Sequence, residues 1–85
     1  MSKKTFVPQI DVLKLIDNQE IVRVLTLVNY LDMTHTAATQ RLYRLHKASY
    51  IEPLGIERGK WVLTNKGVRQ LEYLRRREHD NRRGY

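Results

Sequence analysis

The chain has no cysteine. Disulfides and thiolate metal sites are therefore excluded, and the composition suits a reducing compartment, so a cytoplasmic location is expected. Long apolar runs are missing too. No stretch approaches the roughly 20 apolar residues of a membrane span. Met1-Ser2-Lys3-Lys4-Thr5-Phe6 carries positive charge, but the apolar segment of a signal peptide does not follow it. There is no glycine-rich phosphate loop. No Ser-His-Asp set or carboxylate pair has a spacing that argues for catalysis. An enzyme is not expected, nor a cofactor or a small-molecule substrate. His35 and His46 lie on one helical edge but three turns apart, with no carboxylate to join them, so they cannot share a metal ion.

Acidic residues are scarce in one half only. Residues 1–40 hold four bases (Lys3, Lys4, Lys14, Arg23) and four acids (Asp11, Asp17, Glu20, Asp32), a balance of zero. Residues 41–85 hold twelve bases and five acids, which accounts for the whole net charge of +7. A strongly basic half points to a polyanionic partner, nucleic acid first.

The chain has 85 residues, the size of one small domain. Residues 1–7 read as a flexible arm, residues 8–77 as the domain and residues 78–85 as a basic, frayed tail. Pro8 suits the first turn of a helix. Ile10, Val12, Leu13, Leu15 and Ile16 continue that helix to about Asp17, and Asp17-Asn18-Gln19 reads as a break. Residues 24–31 read as a second helix. Residues 20–23 are open between helix and a short strand that pairs with the later hairpin.

Thr34 is placed to cap a third helix over about 35–48. Ala38, Leu42 and Leu45 recur at i, i+4 and i+7 and form its buried stripe. Thr36, Gln40, Tyr43 and Lys47 fall on the opposite side, with Arg44 beside them and Arg41 at the boundary. The outward face is thus polar and basic, with one aromatic. Tyr50 to Ile56 reads as an extended run, weakened by Pro53 and suited to a sheet edge. Glu57-Arg58-Gly59-Lys60 is the hairpin tip, with Gly59 supplying the positive φ of such turns. Trp61-Val62-Leu63 returns. Thr64 caps a last helix over about 65–77, with Val68, Leu71 and Leu74 inward. Tyr30, Tyr50 and Trp61 read as core or rim packing. The fold class expected is mainly α with a small β-hairpin: a three-helix core, a short hairpin and a C-terminal helix.

Three segments carry a resemblance. They are Thr34-His35-Thr36-Ala37-Ala38-Thr39-Gln40-Arg41-Leu42-Tyr43-Arg44-Leu45, then Leu45-His46-Lys47-Ala48-Ser49-Tyr50-Ile51, then Leu63-Thr64-Asn65-Lys66-Gly67. In this order and at these separations the chain resembles winged helix-turn-helix regulators of the MarR and PadR type. The chain departs from that pattern at Ser49, where the family usually has glycine, and in its very short wing. The resemblance implies a winged helix-turn-helix that binds double-stranded DNA as a transcriptional regulator and homodimer. Helix 35–47 would enter the major groove. Gln40 would read adenine, and Arg44 or Arg41 guanine. Thr36 and Thr39 are short enough to let the helix N-terminus approach phosphates. Tyr43, Lys47, Arg58 and Lys60 would hold the backbone. The alternatives are a winged-helix module for protein–protein contact, or non-specific nucleic-acid binding through the Arg-rich C-terminus.

Overall fold

The computed structural model describes residues 7–56 and 59–83, with residues 80–83 as backbone only. Four helices and one small antiparallel sheet make up these residues, in the order α1 (Gln9–Gln19), α2 (Val24–Leu31), α3 (His35–Lys47), β1 (Ile51–Pro53), β2 (Trp61–Leu63) and α4 (Asn65–Arg83). The molecule is mainly α with a hairpin, as the apolar patterning implies.

Each boundary has a local cause. Pro8 precedes α1 and has no N–H to leave unpaired there. The helix does not break at Asp17 but runs to Gln19, and its end is made by Glu20 at φ 68. Asp32 closes α2 in the left-handed region. The Thr34 hydroxyl accepts from the Ala37 N–H at 3.1 Å and so caps α3. At the other end of α3 the Tyr50 N–H reaches the Leu45 carbonyl and the Ser49 N–H reaches that of His46, both at 2.9 Å. This pair of bonds is a Schellman turn, which needs a left-handed residue between helix and exit. Ser49 fills that place with φ 68. A glycine would sit there without steric cost, so the serine is strained and the turn keeps its usual shape.

Residues 20–23 resolve in favour of strand character, at one residue. Val22 exchanges two backbone hydrogen bonds with Trp61, at 3.0 and 2.9 Å. Val22 therefore flanks β2 on one side while β1 pairs with it on the other, in the register Ile51↔Leu63, Glu52↔Val62 and Pro53↔Trp61. That leaves β1 at the edge, where Pro53 and its missing N–H are tolerated. The strand stops at Pro53 rather than reaching Ile56, and Gly55 turns with φ 64.

The core lies where α1, α2, α3 and the sheet meet. Val12, Leu13, Ile16, Val22, Leu27 and Ala38 are fully buried, with Leu42, Leu45, Ile51 and Leu71 almost so. Two expectations fail here. Val7, assigned to the arm, is only 4 % exposed and belongs to the core, whereas residues 1–6 lie outside the described residues. Val68, assigned to the inner stripe of α4, is 39 % exposed, and Gly67 takes the inner position instead.

Gly67 is needed for close approach. A Cβ there would lie 2.0 Å from the Tyr50 carbonyl oxygen. The start of α4 is thus pressed against the α3 exit turn, and Thr64 fastens the two. Its N–H donates to Tyr50 O at 3.0 Å and its hydroxyl donates to Ser49 O at 2.5 Å. The same hydroxyl accepts from the Gly67 N–H at 3.0 Å, which caps α4. From there α4 continues to Arg83, past the expected end at 77, so residues 78–83 are helical rather than frayed. Lys14 Nζ meets Glu78 Oε1 at 3.2 Å, and the Gln70 amide donates to Gln9 Oε1 at 3.0 Å, which lays α4 along α1.

Candidate nucleic-acid interface

Helix α3 buries one face and presents the other. Ala38, Leu42 and Leu45 are at most 2 % exposed. Thr36, Thr39, Gln40, Tyr43, Arg44 and Lys47 are all exposed. A 100° step per residue puts Thr36, Gln40, Tyr43 and Lys47 on one line along the helix. Tyr43 keeps 61 % of its surface in solvent, and Lys47 Nζ lies 5.7 Å from its ring centroid. The two side chains form one i,i+4 unit, a cation over an aromatic face.

Arg41 differs from its neighbours. It is half-buried, and its Nη1 donates to the Val7 carbonyl at 2.7 Å. Desolvation, and secondarily the positive charge of Arg44, lower its pKa from the ordinary arginine value. Arg41 thus ties α3 to the segment leading into α1, and reaching a base would require it to leave that carbonyl. Beside it, Gln9, Arg41, Arg44 and Leu45 line a shallow groove along the edge of α3. Gln9 had no signal in the sequence to place it there, because the contact joins segments far apart in the chain.

The last turn of α3 is joined to the hairpin through a ring pair. His46 and Trp61 have centroids 5.0 Å apart with planes tilted by 54°. Since Trp61 also exchanges two backbone hydrogen bonds with Val22 and stands opposite Pro53 of β1 in the sheet register, the orientation of β1–β2 relative to α3 is fixed at its base. Lys60 is half-buried near the end of the hairpin loop, and Gly59 takes φ 89 as the turn demands. Arg58 lies outside the described residues. Ile56 is fully exposed on this loop, an apolar side chain that the sequence placed only as a strand end. Of the aromatic residues read as packing, Tyr50 and Trp61 are half-buried, and Tyr30 is 62 % exposed.

Among the described residues no three histidine or carboxylate side chains gather as metal ligands would. No helix among them is long and apolar enough to cross a membrane. No family model matches the chain, and no curated protein or solved structure matches it significantly.

Proposed function

We propose that the chain is a sequence-specific double-stranded DNA-binding protein of the winged helix-turn-helix type, a transcriptional regulator acting as a homodimer. In this reading α2 and α3 are the helix-turn-helix, α3 is the recognition helix, and the β1–β2 hairpin is a short wing. The carrying observation is the outward face of α3, where Thr36, Gln40, Tyr43, Arg44 and Lys47 stand exposed in one basic stripe while the opposite face is locked in the core.

The chemistry follows from reach and donor geometry. Gln40, mid-helix, has an amide that matches the N6 and N7 edge of adenine. Arg44, one turn further, presents the fork that matches guanine O6 and N7. Thr36 and Thr39 are short, so the amino end of α3 can come close to the duplex. Lys47 and Tyr43 lie toward the far end and contact phosphates, which orient the helix without reading sequence. Arg41 keeps its place at the edge of the outward face and serves the reading face mainly by holding it. One α3 helix covers a short site, and two copies related by a twofold axis would read a palindrome. Leu13 on α1 is fully buried and takes no part in such pairing.

The test compares two variants on a preferred and a scrambled duplex. Gln40→Ala is expected to lower affinity for the preferred site by about 5- to 150-fold, the equivalent of about 1–3 kcal/mol, and to leave the scrambled duplex unchanged. Lys47→Ala is expected to weaken both equally and to flatten the salt dependence. Equal effects of the two substitutions on both duplexes overturn the assignment. No binding to any duplex at 50 mM salt favours a winged-helix module that contacts protein instead.

A further inference from the structure

Helix α4 carries a second basic face that the α3 reading does not use. Leu71 is its most buried large side chain, and Gly67, Leu74 and Glu78 share that side toward α1. Rotation by 100° per residue places Lys66, Arg69, Tyr73, Arg76 and Arg77 within about 100° of one another on the opposite side. All five are exposed. Arg77 sits with its guanidinium carbon 5.8 Å from the Tyr73 ring centroid, and its Nη1 donates to the Tyr73 hydroxyl at 3.4 Å. Lys66 lies 5.4 Å from the ring centroid of Tyr50, at the junction with the α3 exit turn. Glu72 falls at the edge of this face. Arg75 points elsewhere, 3.8 Å from Asp17 on α1.

We propose that this outer face of α4 is a second, sequence-independent contact for the phosphate backbone of duplex DNA. The inference rests on the DNA-binding reading above and adds a surface to it. Four cations spread over residues 66–77, which span about 16 Å of helix at 1.5 Å per residue. One strand of a duplex offers about five phosphates over that length. The cations are mostly arginines, whose planar forks pair with phosphate oxygens, and Tyr73 adds a hydroxyl donor among them. An anionic membrane fits worse. A helix that lies on lipid needs a free apolar face beside its basic one, and here the apolar side of α4, Leu71 and Leu74, is taken up by the core.

The deciding variant is Arg69→Gln with Arg76→Gln and Arg77→Gln. All three side chains are exposed, so the fold is retained, which circular dichroism verifies. The probe is a duplex of random sequence, titrated at several salt concentrations. Each lost phosphate contact lowers the slope of log affinity against log salt by roughly 0.9. The triple variant is expected to lose about 2–3 from the wild-type slope and to keep the wild-type ratio between preferred and scrambled sites. An unchanged slope overturns the ridge and leaves α3 standing. A wild type that binds duplex steeply but without sequence preference overturns the α3 reading and leaves the ridge standing. Binding to phosphatidylserine vesicles that the triple variant loses, with duplex binding intact, overturns the ridge in favour of a membrane contact.

Discussion

Gly67→Ala tests the joint between the α3 exit turn and α4. An alanine Cβ would lie 2.0 Å from Tyr50 O, 3.0 Å from Tyr50 C and 3.0 Å from Leu63 Cδ2. The first of these is backbone and cannot swing aside like a side chain. Either α4 moves out by about 1 Å or the Tyr50 carbonyl turns away, and the carbonyl already accepts from the Thr64 N–H. Overpacking of this kind costs about 1–3 kcal/mol, and a weakened hydrogen bond adds about 1 kcal/mol. Against this, alanine gains about 1 kcal/mol over glycine inside a helix. The net expectation is a loss of about 1–3 kcal/mol. For a domain of this size each kcal/mol moves Tm by about 4–8 °C, so the melting temperature should fall by about 5–20 °C. Thermal and urea unfolding followed by circular dichroism measure this directly, with Arg69→Ala on the exposed side of α4 as the control. If Gly67→Ala melts at or above the wild-type temperature, helix propensity outweighs the contact and the close approach at Tyr50 is wrong.

Three further substitutions probe neighbouring features. Ser49→Gly removes a left-handed strain of about 1–2 kcal/mol and adds glycine's backbone entropy cost of about 0.5–1 kcal/mol. It is expected to raise stability by about 0.5–1 kcal/mol in urea unfolding, and a lower midpoint contradicts the strained turn. Thr64→Val keeps the shape but deletes the hydroxyl that caps Gly67 and bonds Ser49. A loss of about 1–2 kcal/mol is expected, with no loss meaning that the cap contributes nothing. Arg41→Met keeps an apolar stem and leaves the Val7 carbonyl without its donor. A loss of about 1–2 kcal/mol is expected from the missing charged hydrogen bond, and an unchanged midpoint denies Arg41 its part in holding α3.

Helix α3 is the element most legible in the sequence. Ala38, Leu42 and Leu45 repeat at helical spacing, Thr34 precedes them as a cap, and the outward residues of α3 follow from rotation alone. Ser49 fills the left-handed place of a Schellman turn, where glycine costs least, with a φ of 68. Other features depend on contacts between distant segments. Val22 looks like any β-branched residue until Trp61 lies beside it. Val7 lies between Phe6 and Pro8 in a segment too short to show a periodicity of its own, and only the packed core makes it internal. Asp17-Asn18-Gln19 is a solvent-facing last turn, which by composition cannot be told from a loop. The same holds for residues 78–83, a polar continuation of α4 that the Lys14–Glu78 pair helps to place. Rotation alone places Arg41 at the boundary of the outward face of α3, where it is half-buried, but its bond to Val7 spans 34 residues of chain and leaves no local pattern. The basic ridge of α4 was present in the periodicity of Lys66, Arg69, Tyr73, Arg76 and Arg77, masked by the more conspicuous arginine runs around it.

Selection from a randomised pool of duplex DNA at about 150 mM salt, a range in which non-specific binding is already weakened, tests the central claim most directly. Wild-type protein is expected to enrich a short motif, arranged as an inverted repeat if two copies bind together. Gln40→Ala should enrich a motif relaxed at one base position. A wild type that enriches no motif contradicts sequence-specific recognition by α3.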